Sequence, residues 1–141
     1  MIIGVPKEIK LQEHRIGLTP ESAKVLIDKK HDVLVQDNGG FEAGFTNEDY
    51  LAVGAKIIKT PEEIFKKAEL IVKVKEPQMN EVKMIRENQI IYTYLHLAAA
   101  KELTLGLIQS KSVCIAYETV TDDNGRLPLL APMSADRKSV V

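Results

Sequence analysis

The sequence predicts an α/β domain whose parallel sheet is covered by helices on both faces. Short apolar runs alternate with helical patterns along the chain, and proline, glycine or charged residues separate them. The length of 141 residues suits one domain of ordinary size. Right-handed crossovers between such β-α-β units would place successive strands in parallel.

The predicted strands are short apolar runs bounded by residues that favour turns. The first covers residues 2–5 and ends at Pro6, and the second covers residues 32–36 and ends before a glycine loop. Further strands are predicted at residues 55–58, 70–74, 89–95 and 112–117.

The predicted helices begin at capping signals. Threonine precedes proline and glutamate at residues 19–21 and again at residues 60–62, which predicts helices over residues 20–30 and 61–67. Thr46 caps a short helix that stops at Gly54, and Asn80 caps another that runs to Ile85. A leucine-rich helix is predicted over residues 98–109, and residues 122–125 are predicted as a hairpin tip.

Composition excludes several classes of protein. With 19 basic and 20 acidic side chains the net charge is -1, which is wrong for a nucleic-acid or membrane-surface binder. A single cysteine, Cys114, excludes a disulfide framework and a multi-cysteine metal site, and we expect it to be an inert core thiol. No apolar run reaches membrane-spanning length and no signal-peptide pattern opens the chain, so we expect a cytoplasmic domain that binds no metal.

Basic side chains follow the carboxyl ends of several predicted strands, where open parallel sheets bind ligands. Arg15 lies in the loop after the first strand, Lys75 follows the fourth and His96 the fifth. An arginine binds a carboxylate with two hydrogen bonds, a lysine supplies a point charge, and a histidine exchanges a proton near neutral pH. The sequence therefore predicts a small-anion site with one acid/base residue.

Each of these residues also has a structural interpretation. Lys75 suits a solvated surface, His96 suits a histidine that only hydrogen-bonds within the fold, and Arg15 suits a surface ion pair with Glu13. The glycine loop at residues 39–45 does not match GxGxxG, so it is predicted as a tight turn rather than a phosphate site.

The same residues lie in motifs that resemble the alanine dehydrogenases and the related transhydrogenase α subunits. These motifs stand in family order at residues 4–8 (GVPKE), 13–20 (EHRIGLTP), 39–45 (GGFEAGF), 72–77 (VKVKEP), 94–98 (YLHLA), 116–119 (AYET) and 129–134 (LLAPMS). The KEP and YLHLA segments favour alanine dehydrogenase over the transhydrogenases.

The resemblance implies a Rossmann-like or flavodoxin-like substrate domain over residues 1–134. It implies NAD-dependent oxidative deamination of L-alanine to pyruvate and ammonia, and the reverse reaction. Arg15 and Lys75 match the residues that bind the substrate's carboxylate and carbonyl oxygen, and His96 matches the acid/base residue. Ser134 is the one candidate for cofactor binding. The full-length family is expected to form homo-oligomers and to bind neither nucleic acid nor membrane.

In the resembling family a dinucleotide-binding domain follows the last motif, whereas residues 135–141 (ADRKSVV) depart from the pattern. We therefore expect a truncated N-terminal part that is inactive alone. The alternatives are a non-catalytic module that binds small 2-oxo or 2-amino acids, a fragment of a transhydrogenase α subunit, and a non-functional remnant.

Overall fold

The computed structural model describes residues 1–129 and contains a six-stranded, all-parallel sheet. The strands are β1 (Ile2–Val5), β2 (Asp32–Gln36), β3 (Lys56–Ile58), β4 (Leu70–Val72), β5 (Ile90–Thr93) and β6 (Val113–Ala116). The helices are α1 (Pro20–Asp28), α2 (Asn47–Ala52), α3 (Pro61–Lys67), α4 (Met79–Val82) and α5 (Lys101–Ser110). Single 3₁₀ turns span Phe41–Ala43, Leu97–Ala99 and Tyr117–Thr119. The predicted fold class is confirmed.

The strand order is β3-β2-β1-β4-β5-β6. Strands β2 and β3 are added on one side of β1. The chain then crosses back, and β4, β5 and β6 are added on the other side of β1. Neighbouring strands β1 and β4 therefore lie at the point where the winding reverses, with Gly4 opposite Ile71. The loops after two such strands separate in opposite directions and leave a crevice at the carboxyl edge.

Helices pack on both faces of the sheet and form two apolar clusters. On one face, α3 and α5 cover the sheet with Ile64, Phe65, Leu103 and Leu107. On the other face, α1 contributes Ala23 and α2 contributes Tyr50. Gly4 lets α3 pack closely against β1, because a Cβ at this position would lie 2.6 Å from the Ile64 side chain.

Several predicted ends are corrected by the structure. The first helix ends at Asp28 instead of residue 30, because Lys30 adopts a left-handed backbone with φ +73°. The fourth strand ends at Val72 instead of residue 74, because the amides of Val74 and Lys75 turn to the carboxylate of Glu8.

Two other predictions at helix and turn positions are wrong. The short helix after β4 is capped at Gln78 rather than Asn80, because the Glu81 carboxylate accepts the Gln78 amide at 2.9 Å. Asp122 does begin a turn, in which the Gly125 amide donates to its carbonyl oxygen, yet no strand flanks this turn within the described residues.

Among the described residues 1–129, the edge strand β6 is covered on one face only. Cys114 and Ala116 pack against the α5 cluster, where the thiol is half-buried instead of taking the core position expected from the sequence. Val113 and Ile115 point the other way and remain 50% and 41% exposed. No helix within residues 1–129 has the length and apolarity needed to cross a membrane.

Candidate functional site

The three basic residues predicted from the sequence lie at the carboxyl edge of the sheet. Arg15 belongs to the loop between β1 and α1, Lys75 follows β4, and His96 follows β5. Since β1 and β4 are neighbours at the winding reversal, the loops that carry Arg15 and Lys75 flank the crevice between them.

Arg15 is bound by a carboxylate of its own loop. Its Nε and Nη2 atoms donate to Glu13 at 2.9 and 2.8 Å, and its backbone amide donates to the same carboxylate at 3.0 Å. The ion pair that the sequence left as an alternative is thus formed, but it occupies only the Nε edge of the guanidinium. The Arg15 side chain stays 55% exposed, which leaves its outer edge able to donate to a second carboxylate.

This pair also sets the protonation of both groups. Burial acts to raise the pKa of Glu13, but the hydrogen bonds and charge of Arg15 outweigh it and hold that pKa below its usual value. The same hydrogen bonds raise the pKa of Arg15. The positive charge of Lys75 also lowers the Glu13 pKa, so the two cations act on one carboxylate.

Behind Lys75 lies a buried ionic cluster that sequence reasoning missed. The Nζ atom of Lys73 lies 3.1 Å from Glu8 and 3.3 Å from Glu81, and each of these side chains is no more than 2% exposed. Burial raises the pKa of Glu81, against the opposing effect of Lys73. One signal was available: a lysine inside a buried apolar strand run requires a buried counter-charge.

Lys75 and His96 meet at the ring of Tyr94. The Lys75 ammonium stands 5.1 Å from the Tyr94 ring centroid, within the range of a cation–π contact. The imidazole of His96 stacks on the same ring, with centroids 5.8 Å apart and planes 8° from parallel. Tyr94 was not predicted as a site residue, because its side-chain direction depends on the strand register.

His96 has an unusual backbone and an exposed side chain. Its φ of +46° lies in the left-handed region, which costs a non-glycine residue energy. Glu118 accepts the amides of Leu95 at 3.1 Å and of His96 at 3.3 Å and thereby fixes this conformation. Within residues 1–129 the imidazole contacts the Tyr94 ring, and no hydrogen bond joins its nitrogens to a partner.

Tyr117 connects the Arg15 side of this edge to the Lys75 side. Its hydroxyl donates to the Val74 carbonyl at 2.7 Å, and its ring lies 6.3 Å from Tyr94. Burial raises the pKa of Tyr117 to about 12. A cavity of about 430 Å³ lies beside it, lined by Arg15, Ile16, Thr19, Ala43, Phe45, Val74 and Tyr117.

The described residues do not fit a dinucleotide. A sheet of this order binds the pyrophosphate at the first β–α turn, on free amides of a helix N-terminus. Here that loop buries the carboxylate of Glu8, and the α1 N-terminus is already capped by the Thr19 hydroxyl, which accepts the Ser22 amide at 3.1 Å. In the glycine loop, a Cβ on Gly40 would lie 2.9 Å from the Tyr50 ring, so this glycine serves packing. Ser134, the predicted cofactor candidate, lies outside the described residues.

The strand order and the loops at the reversal point define a doubly wound α/β domain. The chain belongs to the alanine dehydrogenase/PNT family, because residues 4–135 match the model of its N-terminal domain. The family resemblance indicated by the motifs is confirmed.

Similar proteins include several alanine dehydrogenases. The chain is 52% identical to the one of Halomonas elongata over 134 residues and 49% identical to that of Bacillus subtilis over 135 residues. These matches cover 95% of this chain and 36% and 35% of the relatives, so the chain spans about a third of their length.

Two solved structures are also similar to this chain. An L-alanine dehydrogenase matches with a TM-score of 0.92 and 46% identity, over 95% of this chain and 37% of that one. A transhydrogenase from Sinorhizobium meliloti matches with a TM-score of 0.78 and 23% identity, over 84% of this chain and 35% of that one. At 23% identity, the match to the transhydrogenase shows similarity of fold alone.

Proposed function

We propose that this domain binds a small 2-oxo or 2-amino acid, pyruvate or L-alanine, at the carboxyl edge of the sheet. It does so as the substrate-holding part of an enzyme that deaminates L-alanine oxidatively to pyruvate and ammonia with NAD, and catalyses the reverse. One observation carries the proposal: the loops of Arg15 and Lys75 flank one crevice, and Lys75 and His96 share the Tyr94 ring. Membership of the alanine dehydrogenase/PNT family supports it.

Arg15 and Lys75 bind and orient the substrate in this proposal. The outer edge of the guanidinium donates to the substrate carboxylate, while Glu13 holds the other edge in a fixed plane. The Lys75 ammonium donates to the carbonyl oxygen of pyruvate and draws electron density away from the carbonyl carbon. Tyr94 lies beneath this ammonium and keeps it from extending freely into water.

His96 moves the protons of the hydrolytic half of the reaction. In the direction of deamination, water adds to the imine carbon, and the imidazole takes a proton from that water. It then returns a proton to the nitrogen that leaves as ammonia. The resemblance implies NAD as hydride acceptor; because the described residues do not fit its pyrophosphate, we assign no step through the cofactor to them.

Two further proposals concern partners and the isolated chain. In the whole enzyme we expect homo-oligomers, with neither nucleic acid nor membrane as a partner. Because residues 1–129 offer no fit to the dinucleotide, a carboxylate-binding module that does not catalyse is the second candidate for the 141-residue chain by itself.

Pyruvate binding tests the proposed site. Calorimetry on the purified chain is expected to detect binding that weakens by at least about tenfold in Arg15→Ala, because a hydrogen bond to a charged group contributes about 1.5–3 kcal/mol. Lys75→Ala is expected to weaken binding as well. The matched control is Lys24→Ala, which removes one positive charge from the exposed face of α1. Equal affinity of the unmodified chain and Arg15→Ala would exclude the site.

A further inference from the structure

We propose that Glu8 is a positioning residue for Lys75, and that its buried carboxylate sets the direction in which the Lys75 ammonium points. That this ammonium binds the substrate carbonyl rests on the proposed function. The position of the ammonium follows from the contacts of Lys75 with Glu8, Thr93 and Tyr94.

The Glu8 carboxylate contacts main-chain and side-chain donors of one short segment. Its Oε1 atom accepts the amide of Lys75 at 3.0 Å and the ammonium of Lys73 at 3.1 Å. Its Oε2 atom accepts the amide of Val74 at 3.1 Å. Two consecutive amides therefore point at one carboxylate, which fixes the orientation of both peptide planes.

Lys75 is held from its carbonyl side as well. The hydroxyl of Thr93 donates to the Lys75 carbonyl oxygen at 2.7 Å. With its amide bound by Glu8 and its carbonyl bound by Thr93, the Lys75 backbone has little freedom to rotate. The direction of the Lys75 Cα–Cβ bond is thereby fixed, and from it the side chain reaches Tyr94, with Nζ 5.1 Å from the ring centroid.

A carboxylate is required at position 8 because of the number and charge of its donors. An ionised carboxylate has about four acceptor sites, whereas the amide of glutamine has one acceptor oxygen and presents hydrogens on the other side. The buried ammonium of Lys73 compensates the Glu8 charge, and Glu81 shares it. Removal of Glu8 would leave two amides and part of a cation without acceptors in a buried place.

The proposal distinguishes Glu8 from Glu81, which offers a matched comparison. Both carboxylates contact the Lys73 ammonium and both are buried. Glu81 accepts the Gln78 amide at the start of α4, whereas the amides of Val74 and Lys75 donate to Glu8. Glu8→Gln and Glu81→Gln therefore each remove one carboxylate from Lys73, but only the first releases the amides at 74 and 75.

The first readout is an NMR measurement without ligand. The Tyr94 ring current is expected to shift the terminal methylene protons of Lys75 upfield in the unmodified chain. Glu8→Gln is expected to move these protons to the shift of an exposed lysine, while Glu81→Gln leaves them in place. Retention of the shift in Glu8→Gln, or its loss in both variants, would overturn the proposal.

The second readout is pyruvate affinity. We expect a loss of about tenfold in Glu8→Gln, the size of one charge-assisted hydrogen bond, and a change within about twofold in Glu81→Gln. If Glu8→Gln loses the ring-current shift but keeps its affinity for pyruvate, the proposed effect of Glu8 on ligand binding is wrong. If the unmodified chain binds no pyruvate, the proposed function fails, and the ring-current comparison still decides the role of Glu8.

A third measurement needs no variant and covers the case in which Glu8→Gln does not fold. The amide protons of Val74 and Lys75 are expected to exchange slowly with solvent, since both donate to a buried carboxylate. Exchange as fast as that of the exposed Asn124 amide, which donates to Asp122 in an open turn, would overturn the proposal.

Discussion

At the scale of single residues, each basic side chain of the candidate site has a glutamate beside it. Glu13 compensates the Arg15 charge directly, whereas Glu8 and Glu118 bind backbone amides and hold the loops that carry Lys75 and His96. The pairs are Glu13 with Arg15, Glu8 with the backbone of Lys75, and Glu118 with the backbone of His96.

The Glu13–Arg15 pair predicts a pH dependence of stability. Because the folded pKa of Glu13 lies below its usual value of 4.5, its contribution is fully present above about pH 4.5 and is lost as pH falls through the folded value. Glu13→Gln is expected to cost about 0.5–1 kcal/mol at neutral pH, since half of Arg15 is in solvent.

Urea unfolding at several pH values measures this contribution. The difference between the unmodified chain and Glu13→Gln is expected to shrink as pH falls below 4.5. Glu87→Gln, at an exposed position after α4, is the control and should change stability little at any pH. A Glu13→Gln deficit that stays constant down to the acid end would contradict the predicted direction of this pH dependence.

At the scale of elements, threonine caps determine where the helices start. Thr46 accepts the Asp49 amide at 3.2 Å, and the Asp49 carboxylate accepts the Thr46 amide at 2.9 Å. The helix α2 that follows buries Tyr50, whose hydroxyl donates to the Leu18 carbonyl at 2.7 Å. The cap thus supports the same loop that carries Arg15.

Loss of this cap is expected to reduce stability. Thr46→Ala should lower the free energy of unfolding by about 1 kcal/mol, because the Asp49 amide loses its side-chain acceptor. Thr104→Ala is the control in the interior of α5, where the hydroxyl donates to the carbonyl oxygens of Ala100 at 2.9 Å and Leu97 at 3.4 Å and caps no backbone amide. We expect the control to change stability by less than half as much. Equal effects in denaturant unfolding would argue against the cap.

At the scale of the whole molecule, residues 1–129 hold the candidate site but offer no fit for the dinucleotide. Hydride transfer requires a nicotinamide held close to the substrate carbon, and such positioning supplies roughly 7–11 kcal/mol of a typical barrier. The purified 141-residue chain is therefore expected to form no NADH from L-alanine and to bind NAD weakly.

NADH absorbance and calorimetry with NAD test this expectation. The Bacillus subtilis alanine dehydrogenase, 49% identical over the shared part, is the positive control under the same conditions. His96→Ala identifies turnover that comes from contaminating enzymes, because such turnover is unaffected by the substitution. Turnover that persists through purification and disappears in His96→Ala would show that the prediction is wrong.

Much of this protein was determined by sequence patterns that act over short distances. Threonine before proline set the starts of α1 and α3, and apolar runs set the six strands, because caps and side-chain periodicity depend on residues a few positions apart. The same patterns placed Arg15, Lys75 and His96 after strand ends, since a loop must follow each strand.

Only the tertiary structure decided which of these loops meet. The order β3-β2-β1-β4-β5-β6 brings β1 beside β4, and with it Glu8 to Lys73, which lies 65 positions later in the chain. The stacking of His96 on Tyr94 likewise depends on the left-handed backbone that Glu118 stabilises. Contacts of this kind follow from strand pairing, register and burial, because their free energy depends on surroundings that no local segment contains.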